Sequence, residues 1–575
     1  MNLPSRTLLP FLRWLPFDGA TLKADLIAGV TVALVLVPQS MAYAQLAGMP
    51  AFYGLYAAFL PVMIAALWGS SNQLGTGPVA VVSLLTASSL APFAAPASEQ
   101  FVMLAVMLAL MVGLFQLFLG VFKLGVIVNF LSHPVIVGFT NAAAIIIALS
   151  QLNKLIGVPM GRSGHFIQDI AGVIRQAGDM HWPTLAMGAV AIAVMWGVRK
   201  YRPKWPGVLI AVVLTTTTAW LTDFAAAGGK VVGAIPTGLP AVALPSFSWG
   251  HARELVSATI VISLVGFMEA ISIAKAIAAR TRQKIDPNQE LIGQGLANIV
   301  GSFTQAFPVS GSFSRSAVNI DAGAITGMSS VFTGLLVLLT LLFLTPLLHH
   351  LPQAVLAAVI IMAVIGLVDF GAVKHAWQAN RHDGIAAVVT FLATLGFAPH
   401  LDNGILIGAG LAIGLYLYRT MTPRVAILGR FHDGTLRDAK VNNLPASDVV
   451  TAVRFDGRLY FANVSYFEDA ILEAVASNPK APYLLIVADG INEMDASGEE
   501  VVRHIVDRLR GNDVTVVFSG LKKQVLDVMR ATGLFDVVTE ANIHATADQA
   551  LTAIHARVDH SAADASQPGN PPAAG

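Results

Sequence analysis

Apolar residues fill long blocks along most of this chain, and polar residues fall between the blocks in short clusters. The approximate apolar runs are 25–44, 52–68, 78–92, 101–122, 126–150, 180–198, 206–224, 254–279, 288–303, 312–321, 326–348, 353–371, 384–398 and 402–418. A straight helix needs about 20 apolar residues to cross roughly 30 Å of hydrocarbon. The pattern therefore predicts an α-helical polytopic membrane protein with fourteen transmembrane segments, several of them broken. The runs near 78 and 312 follow Gly/Pro/Ser stretches and read as helices interrupted at membrane depth. From about residue 435 the period changes. Val449–Phe455, Tyr483–Ala488 and Val514–Ser519 are short β-rich runs, separated by helical patterns at 465–477, 496–511 and 520–533. Alternating βα units predict a small α/β domain over 435–558.

Charge sharpens this picture. Only 12% of the 575 residues are charged and 55% are hydrophobic, with mean hydropathy +0.68. A soluble domain carries about 25% charge. The net charge of +1 implies no nucleic-acid partner. Arg6, Arg13 and Lys23 place the N-terminal segment (1–24) in the cytoplasm by the positive-inside rule. Fourteen spans then put Arg199, Lys200, Arg202 and Lys204 inside, with Arg280, Arg282 and Lys284, with Lys374 and Arg381, and with the Arg419/Arg424/Arg430 junction. The 151–179 loop, on the predicted outside, still carries Lys154, Arg162 and Arg175. Both termini are expected in the cytoplasm, in an inner or plasma membrane. The N-terminus lacks the order of a cleavable signal, so the first span is expected to direct insertion. With no cysteine, disulfides and thiolate-bound metals are excluded. No cofactor or metal is implied, and no HExxH, Walker lysine loop or GxSxG motif points to an enzyme. Residues 559–575 are expected to be a disordered tail.

Two regions share a plan. The first runs from Pro38-Gln39-Ser40-Met41-Ala42-Tyr43 to Gly75-Thr76-Gly77-Pro78, the second from Phe267-Met268-Glu269-Ala270 to Pro308-Val309-Ser310-Gly311-Ser312. Each sets a polar residue mid-span, then a helix pair, then a break that opens a short helix about 40 residues later. Seven spans separate them, so they are expected to lie inverted in the bilayer. Paired interrupted helices of this kind mark a transporter's binding site. Their N-termini carry free N–H groups and positive dipole ends, which suit an anion. Arg315, in the first turn of the second short helix, needs an anionic partner at that depth. The hydroxyls of Ser310, Ser312, Ser314 and Ser316 suit an oxyanion, and helix capping is the alternative reading for them.

These stretches resemble the SulP anion transporters, also called solute carrier family 26. Val37-Pro-Gln-Ser-Met-Ala-Tyr-Ala44 looks like the family's first-span signature. Gly54-Leu-Tyr-Ala-Ala-Phe-Leu-Pro61, Gly75-Thr-Gly-Pro-Val-Ala80 and Ser312-Phe-Ser-Arg-Ser316 are similar to those of the second, third and tenth. The resemblance covers nearly the whole chain. It implies a seven-plus-seven inverted repeat, with spans 1–4 and 8–11 forming a mobile core and spans 5–7 and 12–14 a gate, moving as an elevator in a homodimer. It places Gln39, Tyr43, Val79, Ser314 and Arg315 where family members line the anion site. Where the family's motor-protein member has Phe, this chain has Tyr43 and Val79. With the flanking break residues, the candidate anion-binding set is Gln39, Tyr43, Thr76, Gly77, Val79, Ser310, Gly311, Ser312, Phe313, Ser314 and Arg315. The tail resembles a STAS domain, of the anti-sigma-factor-antagonist type. In soluble relatives the Ser of Asp-x-Ser-Gly is a phosphorylation site, so Ser497 is a candidate regulatory residue. A plain helix start, with Asp495 as its cap, is the other reading. A cytoplasmic partner for this domain is also expected.

Glu269 lies mid-span in an apolar stretch, which makes it the candidate proton carrier. A structural ion pair with Arg315 or Lys275 is the competing reading. Sodium-coupled bicarbonate members carry Asp here with a hydroxyl four residues on. This chain has Glu269 and Ile273, and the i+4 position shares the helix face. The sequence therefore points to proton-coupled symport of sulfate or a small dicarboxylate. A sodium-coupled or uncoupled bicarbonate or chloride transporter or exchanger is the alternative. A membrane-anchored signalling protein with the STAS domain as effector is the alternative of another class.

Overall fold

The computed structural model describes residues 9–565 apart from 17, 127–130, 162–164, 203–204 and 237. Arg6, Arg162 and Lys204, used above for orientation, lie outside the described residues. The chain forms two compact units, residues 1–412 and 413–575.

Each of the fourteen apolar runs holds a helix. In chain order the first seven are α1 (Gly19–Leu46), α2 (Leu60–Trp68), α3 (Ala80–Leu90), α4 (Glu99–Val121), α5 (His133–Ser150), α6 (Trp182–Tyr201) and α7 (Gly207–Leu221). The next seven are α8 (Val256–Thr281), α9 (Pro287–Ser302), α10 (Phe313–Asp321), α11 (Met328–Leu339), α12 (Gln353–Ile365), α13 (Arg381–Gly396) and α14 (Leu401–Met421). Among the described residues, eight helical segments are long and apolar enough to cross a membrane. α3, with 11 residues, and α10, with 9, are too short to do so.

Two of the runs also break within their length. Run 353–371 ends α12 at Ile365, and a separate helix, Phe370–Ala379, begins under an Asp369 cap on Ala372 N (2.9 Å). Asn141 on α5 pins that turn by accepting from Asp369 N at 2.7 Å. Run 326–348 loosens after α11 into a π turn (Thr340–Leu344) and a 3-10 turn (Thr345–Leu348). Pro346 supplies no N–H to continue the α ladder there.

Helix packing gives two groups. α9 lies against α4 and α2, α11 against α1 and α2, and α8 against α4. In the other group α13 lies against α5, and α6 against α7 and α12, and α12 also lies against α1 of the first group. Glycine allows the closest approach. A Cβ on Gly295 of α9 would sit 2.6 Å from Leu117 N of α4, so those backbones touch.

Two three-residue strands interrupt the first group. β1 (Gly75–Gly77) precedes α3, and β2 (Ser310–Ser312) precedes α10. They pair antiparallel, Gly75 with Ser312, Thr76 with Gly311 and Gly77 with Ser310. Equivalent breaks of the two halves therefore cross each other head to tail.

The second unit is a six-stranded sheet in the order β4-β3-β5-β6-β7-β8. β5 (Val450–Asp456), β6 (Tyr483–Val487), β7 (Thr515–Ser519) and β8 (Ile543–His544) are parallel, while β3 (Arg424–Arg430) runs antiparallel to β5 and to β4 (Leu436–Asp438). α15 (Val464–Ser477), α16 (Ala496–Arg510) and α17 (Lys523–Thr532) supply one core, where Phe467, Val502 and Val525 meet Ile486. α18 (Ala547–Ala565) covers the other face, where Leu551 meets Leu485 and Val487. Both faces are buried, which is why Tyr483–Val487 reads as an unbroken apolar run. The sheet starts at Arg424, ahead of the expected 435, because β3 carries Arg at both ends and resembled a basic junction. Helix α18 runs through Ala565, on Ala-rich sequence of good helix propensity. Residues 566–575 lie outside the described residues.

Candidate functional site

Arg315 is the centre of the first unit's polar interior. It occupies the first turn of α10 and is fully buried. Its Nη1 donates to Pro78 O at 2.7 Å and to Gln39 Oε1 at 3.4 Å. Its Nε and Nη2 are buried without a partner. Gln39 Nε2 in turn donates to Tyr43 OH at 3.1 Å. The polar positions of α1 and the break before α3 thus converge on the arginine from α10.

Glycine makes room for it. Gly77 has φ +145°, and a Cβ there would lie 3.3 Å from Arg315 Nη2. A Cβ on Gly75 would lie 3.0 Å from the arginine's own Cβ. One face of β1 is therefore bare backbone turned toward the guanidinium.

Both helix starts leave their first N–H groups without a side-chain cap. The residue before α3 is Val79, which has no polar side chain. Ser312 precedes α10 and makes no capping hydrogen bond. Ser312 therefore does not cap α10. Instead, Ser316 Oγ donates to Ser312 O at 2.6 Å and accepts from Gly75 N at 2.8 Å, tying α10 to β1. Ser312 Oγ and Ser314 Oγ lie 3.3 Å apart.

Three expected residues turn elsewhere. Strand alternation points Thr76 away from Arg315, and its Oγ1 accepts from Gln294 Nε2 at 2.8 Å. Ser310 donates its hydroxyl hydrogen to Gly266 O at 2.6 Å, so that hydrogen is already used. Phe313, the first residue of α10, is 66% exposed and does not join the buried cluster of Arg315, Ser316 and Asn319. Gly311 packs its bare backbone on Ala270 of α8, while Val79 and Tyr43 are buried beside the arginine's partners.

Glu269 is half-buried on α8, next to the Ala270 that touches Gly311. Among the described residues it forms no ion pair: Arg315 is bonded to Pro78 and Gln39, and Lys275 is exposed. The structural ion-pair reading is therefore not what the packing contains. In the second unit, Asp495 caps α16 as expected, accepting from Gly498 N at 2.9 Å. Ser497 is half-buried in that helix's first turn.

The sequence reading missed a row of polar residues on α9. Glu290, Gln294 and Asn298 recur at every fourth position and are all buried. That spacing, in a helix otherwise rich in Gly, Ala and Ile, was the available signal. Asn298 also reaches Gln116 Oε1 of α4 at 3.2 Å.

The chain matches a family model described as the Sulfate permease family over residues 22–390 and one for the STAS domain over residues 443–550. It is 37% identical over 555 residues to the chloroplastic sulfate transporter 4.1 of Arabidopsis thaliana, covering 92% of this chain and 80% of that one. It is 32% identical over 540 residues to a probable sulfate transporter of Mycobacterium tuberculosis, covering 93% and 96%. Its fold is similar to that of the murine solute carrier 26 family member A9 anion transporter in the inward-facing state. The TM-score is 0.88 at 22% identity, over 97% of this chain and 95% of that one. The transmembrane domain of a cyanobacterial bicarbonate transporter aligns with a TM-score of 0.58 at 23% identity, over 69% and 99%.

Proposed function

The chain belongs to the sulfate permease family of anion transporters, and from that premise we propose that it carries sulfate or a small dicarboxylate together with a proton. It is a multi-pass membrane transporter and not an enzyme. The observation that carries the proposal is Arg315, fully buried with Nε and Nη2 unpartnered between two uncapped helix starts. An uncompensated buried guanidinium is costly. At an effective dielectric near 20, a unit negative charge at about 4 Å returns roughly 4 kcal/mol. A dianion returns about twice that against a larger dehydration cost, and the preference for sulfate is supported by the relatives named as sulfate transporters.

Glu269, free of a cationic partner and one residue from the β2 contact, is the proton carrier in this reading. Ile273 supplies no oxygen one turn away, which argues against sodium. Helix packing into two groups supports elevator movement of α1–α4 with α8–α11 against the rest. The protein works as a homodimer in an inner or plasma membrane with both termini in the cytoplasm. Ser497, half-buried at a helix start, is the regulatory position in this reading, since phosphate is favoured there.

The decisive experiment is a competition panel in proteoliposomes. Sulfate, bicarbonate, succinate, fumarate, chloride and nitrate compete with labelled sulfate, each with and without an inward proton gradient. Sulfate or a dicarboxylate should compete best, and collapse of the gradient should abolish accumulation. Bicarbonate or chloride as best competitor, or accumulation driven by sodium alone, defeats the proposal.

A further inference from the structure

Two strands of three residues cannot set their own register. So short a pair makes few ladder bonds and is marginal alone. A slip of one residue would turn Thr76 toward Arg315, where only glycine fits. Register must therefore be fixed from outside the strand pair.

α9 supplies that fixing from the face opposite Arg315. Glu290 Oε2 accepts from Ser70 N at 2.8 Å and Ser71 N at 3.1 Å, on the approach to β1. Gln294 Nε2 donates to Thr76 Oγ1 at 2.8 Å, at the middle of β1. Asn298 Oδ1 accepts from Val309 N at 2.8 Å and its Nδ2 donates to Val309 O at 3.1 Å, on the approach to β2. The last pair imitates a neighbouring strand. One helix thus grips both crossing strands at three points, each a helical turn apart.

We infer that the polar edge of α9 is the register clamp of the anion site, and that Gln294 is a positioning residue setting anion affinity through Thr76. Gln294 does not touch the anion. It holds Thr76 on the far face, so that Gly75 and Gly77 present bare backbone to the guanidinium. The inference rests on the anion-transport reading above.

The test uses the full-length protein and labelled sulfate uptake in proteoliposomes. Gln294→Met and Thr76→Val each delete one side of the bond at nearly constant size, and Thr76→Ser keeps the hydroxyl. Both deletions should raise KM about tenfold, the scale of one net hydrogen bond, with Vmax little changed. Thr76→Ser should stay near the parent. The double variant should be no worse than either single one, because both remove the same bond. Unchanged KM in either folded variant overturns the inference, as does an additive double variant. If neither deletion yields folded protein while Thr76→Ser does, the bond carries the fold rather than affinity, and the inference is wrong. Failure of the parent protein to take up sulfate would count against the cargo reading alone. The clamp is then measured by direct uptake of whichever labelled anion of the panel the parent protein carries.

Discussion

Arg315→Ala removes the guanidinium that bridges Gln39 and Pro78, and anion affinity should fall by about 2 kcal/mol or more, as for loss of a charged hydrogen-bond partner. Competition binding on purified protein checks this; unchanged affinity would remove Arg315 from the site. Glu269→Gln should keep anion exchange but lose accumulation against a gradient, read as counterflow without proton-driven uptake. His544 on β8 gives a pH prediction in the second unit. Burial, aided by the charge of Arg557, holds its imidazole below the ordinary 6.5. The neutral form is favoured in the fold, so this contribution is complete above pH 6.5 and lost as pH falls through that value toward the lower folded pKa. Hydrogen-exchange protection factors around β8, corrected for the intrinsic pH dependence of exchange, should fall between pH 7.5 and 5.5, and His544→Gln should flatten the change. At this scale the sequence showed Arg315, Gln39 and Tyr43 clearly, because charge and polarity inside apolar runs stand out. It did not show that Thr76 and Ser310 face away. Side-chain direction in a three-residue strand depends on a partner elsewhere in the chain.

Elements meet through polar ties that no local pattern announces. Asp25 stands at the start of the first apolar run and is fully buried. Its Oδ1 accepts from Ile325 N at 2.7 Å and Thr326 N at 3.0 Å, on the approach to α11. The partner lies 300 positions away, which is why periodicity could not reveal it. Asp25→Ala should destabilise the α1–α11 contact by about 1–3 kcal/mol for each orphaned donor. Thermal unfolding in detergent measures this, and Asp25→Asn, which retains one oxygen acceptor, should lose less. Helix existence was legible from hydrophobic runs almost throughout. The split after α12 was not, because it depends on an Asn141 contact from another helix. In the second unit the three central strands were legible as β-rich runs. β3, β4 and β8 were not, being edge or near-edge strands with charged ends or few residues.

For the whole molecule, the elevator reading proposed above predicts relative sliding of the two helix groups during transport. Lys154, just after α5, donates to Gln45 Oε1 on α1 at 3.4 Å and so links the groups. The natural chain has no cysteine, so Gln45→Cys with Lys154→Cys gives a clean pair for a short bis-maleimide. Bridging should stop uptake while leaving anion binding intact; full uptake in the bridged protein would rule out sliding at this contact. The crossing of β1 and β2 has a further consequence for how the protein is made. Gly75 leaves the ribosome 241 positions before the Ser316 that receives its N–H. Until then the nascent chain holds an unpaired strand edge and half a cradle without its arginine. Biogenesis must shelter that edge, and a message truncated between the halves would yield a membrane-embedded fragment with nothing to grip an ion.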